Sequence, residues 1–388
     1  MPGAVWVLGF VSLLMDASSE MIHGLLPLFL FDVLGASAFI VGLIEGLGEA
    51  TALIVKVFSG TLSDYLGRRK WLAVSGYALA ALTKPLFAIA SSIQLVLAAR
   101  LLDRVGKGIR GAPRDALVAD LAPANSRGAA FGLRQSLDTV GAFLGPLLAV
   151  VLMLLWHDHF RRVFWVAVIP AVLSVALLVV GVREPVRAAG GRRPNPFLKE
   201  NIEALGPAYW RVVMIATLCS LARFSEAFLL LRAQQGGIPV ALVPLVMVAM
   251  NIVYSLCAYP FGKLSDRMSH TRLLAFGLVV LIGADFVLAS GDHWPTVIAG
   301  VALWGMHLGM TQGLFATMVS ETAPARLRGT AFGLYNLAGG GAMLLASAAA
   351  GSLWSAFGAA YAFLAGAIFS LLALFGIYLW RPRAIAGR

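Results

Sequence analysis

The sequence predicts an all-α polytopic membrane protein with twelve transmembrane helices in two parallel six-helix halves. Three observations predict it. First, 60% of the 388 residues are hydrophobic and only 13% are charged, with a mean hydropathy of +0.85. Soluble domains hold roughly 45–50% apolar and 25% charged residues. Second, the apolar residues gather into runs near the ~20 residues that cross a bilayer, joined by short connections. Third, two blocks of sequence recur about 200 residues apart, as a duplicated unit would. A cytosolic enzyme, a disordered chain and a disulfide scaffold all fit this composition poorly.

The spans follow in order. The first covers about 4–31. Its run from Val5 to Met15 has no basic lead-in and no small-residue cleavage site, and Asp16 follows at once. That reads as a helix rather than a cleaved signal. Runs at about 38–62, 71–91, 94–119, 129–155 and 162–182 complete a first half over 1–182. Segment 183–211 then interrupts the pattern with Gly190-Gly191-Arg192-Arg193-Pro194-Asn195-Pro196 and reads as a cytoplasmic linker. Runs at about 212–233, 240–262, 273–290, 295–319, 330–354 and 358–380 make a second half over 212–388.

The net charge of +11 is an address rather than a nucleic-acid signal. Lys and Arg accumulate in cytoplasmic loops. Here Arg69, Lys70, Arg127, Lys263, Arg272, Arg328 and the linker arginines fall on one side of the predicted membrane. This predicts a bacterial-type cytoplasmic (inner) membrane, both termini inside, lipid as a partner and no nucleic acid. Cys219 and Cys257 sit in apolar runs at no metal or disulfide spacing and read as packing residues.

The repeat is explicit. Gly60-Thr-Leu-Ser-Asp64 follows the second span and Gly262-Lys-Leu-Ser-Asp266-Arg267 follows the eighth. Arg127-Gly-Ala-Ala-Phe131-Gly132-Leu follows the fourth span and Arg328-Gly-Thr-Ala-Phe332-Gly333-Leu the tenth. Parallel halves with a site near the midplane are a known transporter architecture. On these residues the chain resembles the major facilitator superfamily over essentially its whole length. Gly60-x-x-x-Asp64-x-x-Gly67-Arg68-Arg69 is similar to that family's loop signature, with Tyr65 where Arg is usual and Arg267 restoring it in the second half. Arg104-x-x-Lys107-Gly108 resembles its fourth-span signature. Gly141-x-x-x-Gly145-Pro146 resembles the fifth-span signature of drug/proton antiporters, without its trailing glycines.

Asp64 and Arg68 at a cytoplasmic helix junction suit a latch that must break during transport. Gly60, Gly67, Arg69, Asp266 and Arg267 belong with it. Gly141 and Gly145 allow close helix approach, and Pro146 frees a carbonyl. Gating and plain packing explain these three equally well.

Charges within spans are disfavoured by roughly 2.5–3.5 kcal/mol each and mark function or a structural network. Asp16, Glu20 and His23 share a face of the first span, and Glu45, Glu49 and Lys56 one of the second. On the fourth, Asp103, Lys107, Arg110 and Arg114 form a stripe with Arg100 at its edge. Arg104 and Asp115 lie roughly 100° off it and face another neighbour. Arg134 and Asp138 follow on the fifth. We assign proton coupling to Asp16, Glu20, His23, Glu45, Glu49 and Arg104. Arg110, Arg114, Asp115 and Asp138 read as a cytoplasmic-side gating network, more structural than catalytic. The second half holds fewer charges, Arg223, Glu226 and Asp285. Lys107 of the first half and Arg223, Glu226, Asn251, Tyr254, Trp304, His307, Gln312, Tyr335 and Asn336 of the second are the candidate substrate contacts, though for each aromatic alone packing is the plainer reading.

Gly106-Lys-Gly108-Ile-Arg-Gly111 spells a dinucleotide motif but lies within a span, without the preceding strand. No phosphate-binding loop, no nucleophile–base pair and no metal cluster is present, so an enzyme reading fails and no cofactor is expected. The predicted function is a monomeric, proton-coupled transporter using alternating access to export a small charged or zwitterionic organic solute. Proton symport of a polar solute inward, and a non-transporting receptor or lipid-moving protein on the same scaffold, are the alternatives.

Overall fold

The computed structural model describes residues 2–66, 69–123, 126–183, 202–265, 268–324 and 327–379, and these are helical almost throughout. The helices are α1 (Gly3–His23), α2 (Ala38–Leu66), α3 (Arg69–Ile89), α4 (Ile93–Leu121), α5 (Arg127–Leu155) and α6 (Phe160–Gly181). They continue as α7 (Gly206–Ala222), α8 (Ala227–Gln235), α9 (Leu245–Ser265), α10 (His270–Ser290), α11 (Trp294–Thr322), α12 (Arg328–Phe357) and α13 (Ala359–Leu379). Among the described residues, eleven segments are long and apolar enough to cross a membrane. The fourth span, α4, is as long as its neighbours but too charged to meet that composition. Taken with the eleven, it makes the twelve spans of an integral membrane protein.

Two spans are interrupted. The first breaks after His23, resumes at Leu26–Leu28 and ends in a π-helical turn at Phe29–Val33. The seventh, expected as one run, breaks at Arg223–Glu226 between α7 and α8. Side chains replace the missing ladder there: Ser347 Oγ accepts from Ser225 N–H (3.1 Å) and Ser225 Oγ accepts from Ala227 N–H (3.2 Å). The two breaks fall at equivalent positions of the repeat. Paired broken helices are the usual pointer to a transport site.

Packing divides the chain into two units. One comprises Met1–Ala36, Leu47–Pro194 and Pro239–Val248, the other Ser37–Gly46, Asn195–Ile238 and Ala249–Arg388. In the first, α1 packs on α5 and α6, and α3 packs on α4 and α6. In the second, α7 packs on α12 and α13, and α10 packs on α11 and α13. The second pattern is the first shifted by six spans, so the repeat read in the loops extends to the helix contacts.

Small residues set these contacts. A Cβ on Gly141 would lie 2.5 Å from Leu13 O, and one on Gly145 would lie 2.7 Å from Ala17 O, so α5 touches the α1 backbone. Gly106 does the same against Gly76 O on α3, at 2.7 Å, and Gly108 meets Val55 on α2. The apparent dinucleotide motif is therefore a helix-packing stripe.

Candidate functional site

The first unit gathers most of its membrane charges around α4. Each turn of that helix meets a different neighbour. Near its start, Arg100 and Arg104 reach His23 at the end of α1. Arg104 Nη2 stands 2.9 Å from His23 Nδ1, and Arg100 Nη1 meets Nε2. Both guanidinium groups are buried at 2% exposure or less. A guanidinium can only donate, and a neutral imidazole has one accepting nitrogen: Nε2, which both arginines reach, can accept while Nδ1–H faces the Glu20 carboxylate, an arrangement an imidazolium cannot supply.

Carboxylates ring this centre. Arg104 Nη1 lies 3.2 Å from Glu49 Oε1 on α2, and Arg100 Nη2 lies 3.9 Å from it. Glu20 Oε1 lies 3.5 Å from His23 Nδ1, one helical turn earlier on α1. Glu20 and Glu49 keep 28% and 35% of their side chains exposed. Lys107, one turn further along α4, is also exposed. The arrangement thus presents carboxylates and one ammonium, with the arginines behind them. Glu45 is buried on the part of α2 that packs in the second unit.

The helical-wheel expectation for α4 needs correction. It set Arg104 apart from the Asp103 stripe and grouped Asp103 with Lys107. Arg104 does face other neighbours, joining Arg100 on His23 and Glu49 with its Nε 4.0 Å from Asp103 Oδ2, but Asp103 does not go with Lys107. Asp103 turns to α3, where Lys84 Nζ lies 2.8 Å from Oδ1 and also donates to Ser19 Oγ at 3.0 Å. Long side chains cover an arc wider than the Cα wheel suggests, and the nearest counter-charge decides where each points. Lys84 escaped the sequence reading altogether. Its signal was available: a lone ammonium in the middle of an apolar span, beside Pro85.

Further along α4 a second network forms. Arg110 Nη2 is 3.5 Å from Asp16 Oδ1, and its guanidinium covers the Tyr77 ring at 4.8 Å. Arg114 donates to Ser12 Oγ (3.0 Å) and to Asp115 (3.2 Å), and lies 3.8 Å from Asp138. Arg134 closes the ring at 2.9 Å from Asp138 and 3.3 Å from Asp115. Arg69, at the start of α3, pairs with Asp120 at 2.7 Å. Of the other latch residues, Gly67, Arg68, Asp266 and Arg267 lie outside the described residues, and Gly60 and Asp64 lie on α2, with the Asp64 side chain, like that of Gln312, outside what is described.

The second unit is organised by aromatic packing. Trp304 is 1% exposed and its ring lies 5.4 Å from Phe224, which also packs on Phe228 and Phe363. His307 is 2% exposed and its Nδ1 bonds the Gly277 carbonyl at 2.7 Å. In this conformation Trp304, expected as a substrate contact, is part of the aromatic core, and His307, expected as another, ties α11 to α10. Arg223 and Glu226 flank the α7–α8 break and are partly buried. Asn251 and Tyr254 on α9 and Tyr335 and Asn336 on α12 are also partly buried.

Comparison with known proteins places these features. The family model described as Major Facilitator Superfamily matches residues 8–338 and again 214–388. An uncharacterized MFS-type transporter of Methanocaldococcus jannaschii is 31% identical over 361 residues, covering 90% of this chain and 88% of that protein. The quinolone resistance protein NorA of Staphylococcus aureus is 21% identical, covering 77% of each. Among solved structures, a bacterial homolog of the human lysosomal transporter Spinster has a TM-score of 0.78 at 16% identity, covering 97% of this chain and 96% of that one.

Proposed function

Because the chain belongs to the Major Facilitator Superfamily, whose fold and secondary transport it shares, we propose that it is a proton-coupled antiporter exporting a small organic solute that carries a cationic or zwitterionic group. The observation that carries this reading is His23 held between Arg100 and Arg104 with Glu20 beside it. Glu49 has a guanidinium at 3.2 Å, whereas Glu20 faces the His23 ring at Nδ1, 3.5 Å away. Of the two carboxylates beside His23 and Arg104, Glu20 thus has the weaker counter-charge, and it is open to solute. A proton or a cationic group of the solute can neutralise it, and each excludes the other. That competition is antiport.

Lys107 adds a point for an anionic group on the same solute. The export direction is supported by the Gly141-x-x-x-Gly145-Pro146 signature and by the name of the staphylococcal relative. Asp16, His23, Glu45, Glu49 and Arg104 complete the coupling set, and Arg223, Glu226, Asn251, Tyr254, Tyr335 and Asn336 remain substrate-contact candidates. The protein would work as a monomer in a bacterial-type inner membrane, with both termini and the 183–211 linker in the cytoplasm between halves 1–182 and 212–388.

Everted vesicles test this directly. Adding a transported solute should dissipate an imposed pH gradient in the antiport sense. Dissipation of opposite sense, with solute and proton moving together, would replace antiport by symport.

A further inference from the structure

The second half of the repeat contains a fully buried carboxylate that the mechanism above does not use. Asp285 on α10 is 0% exposed, and neither of its carboxylate oxygens has a hydrogen-bond partner among the described residues. Its repeat-equivalent in the first half is Lys84, on the matching helix α3. There the buried ammonium is neutralised by Asp103 of α4, at 2.8 Å. The position equivalent to Asp103 is Trp304 on α11. The second half therefore reverses the charge and replaces its counter-ion with an indole.

Asp285 also faces the seventh-span break. A Cβ on Gly366 of α13 would lie 2.9 Å from Asp285 Oδ2, 3.1 Å from the Phe224 ring and 3.3 Å from Ala222 O. Asp285, Phe224 and the last residue of α7 thus converge on one small residue. The bonds that close the break run from Arg223 N–H to Ser220, from Phe228 to Ser225 and from Leu229 to Glu226. The Ala222 carbonyl is left at the open end of α7. The C-terminal end of a helix repels an anion, and a buried carboxylate without a partner is strongly disfavoured. A carboxylic acid reverses both objections, because its O–H can donate to a free carbonyl.

Other charged or titratable groups on the packed helices point elsewhere. On α11, His307 is tied to Gly277 O, two turns along α10 from Asp285. On α7, Cys219 packs against Leu274 and Leu278 in the apolar core. Arg223 and Glu226 flank the break, and neither bonds the Asp285 oxygens. Gly366 and Phe224 supply no further oxygen ligands of the kind a metal cation needs.

We propose that Asp285 is a second proton site, occupied in this conformation and emptied when the break between α7 and α8 rearranges. It rests on the proton-coupled reading only for its part in transport; its occupancy stands separately. The test is the infrared spectrum of the lipid-reconstituted protein at neutral pH. A protonated carboxylic acid band should be present, should shift when aspartate is supplied with a 13C-labelled carboxyl group, and should vanish in Asp285→Asn. It should survive in Glu20→Gln. If Asp285→Asn does not fold, the labelled unmutated protein decides alone, since the other buried aspartates of the described spans are ion-paired. An acid band indifferent to aspartate labelling, or one retained in Asp285→Asn, overturns the proposal. So does a carboxylate band at Asp285 that responds to sodium. Failure of antiport in vesicles with the acid band intact would instead overturn only the proposed function.

Discussion

Lys84 Nζ and Asp103 Oδ1 lie 2.8 Å apart, and neither side chain is more than 4% exposed. This deeply buried ion pair ties α3 to α4. Removing one partner takes the nearest counter-charge from a buried group, and Arg104 Nε, 4.0 Å from Asp103 Oδ2, is a more distant substitute. Lys84→Met should therefore cost about 3–5 kcal/mol, while Lys84→Met with Asp103→Leu should recover most of that loss. Thermal unfolding of the purified variants in detergent reads both. A single variant as stable as the parent would show that the pair does no structural work.

The α1–α5 contact depends on the absence of side chains. Gly145→Val places carbon 2.7 Å from the Ala17 carbonyl, which is backbone and cannot rotate away. Overpacking of this kind should cost about 1–3 kcal/mol. Gly132, on the same helix, has open space around its Cβ direction. Gly132→Ala should stay within about 0.5 kcal/mol of the parent. Equal unfolding temperatures for Gly145→Val and Gly132→Ala would contradict the close approach.

Glu20→Gln keeps shape and removes the titrating group. Solute accumulation driven by a pH gradient should fall by a coupling factor of roughly 5–150. Exchange of labelled for unlabelled solute across vesicles without a gradient should persist. Loss of both activities together would mean that Glu20 binds solute without carrying the proton.

Arg104 serves two partners on two helices, Nη2 on His23 and Nη1 on Glu49. A lysine is a point charge and cannot span both. Arg104→Lys should unfold near the parent temperature yet lose gradient-driven transport, and Glu49→Gln in that background should add little. Independent, additive losses in vesicle flux would argue that the two contacts are unrelated.

Trp304 sits in the aromatic core rather than on a solute. Trp304→Ala should cost about 3–5 kcal/mol of stability. Its transport defect should track the amount of folded protein. An unchanged unfolding temperature with a raised KM for solute would restore it as a ligand contact.

How far each feature was legible follows from its physics. The Gly60/Gly262 and Arg127/Arg328 blocks were readable because loop signatures are local in sequence, and the repeat then foretold the matching helix contacts. The Asp16–Glu20–His23 face was readable because residues one turn apart on a helix are neighbours. The partners of α4 were not. Whether Asp103 meets Lys84 or Lys107 depends on which helix lies alongside, and periodicity carries no information about neighbours. The seventh-span break was hidden for a related reason: hydropathy does not register a serine bond from another helix, here Ser347 to Ser225.

By itself, then, the sequence determined a twelve-span membrane protein with a duplicated plan, because bilayer thickness and buried-charge penalties are written residue by residue. Only the tertiary structure decided which charges meet. It drew Arg100 and Arg104 onto His23, paired Lys84 with Asp103, moved Trp304 and His307 into packing, and left Asp285 alone. Electrostatic energy inside a bundle depends on distances between helices, and those distances are set by packing.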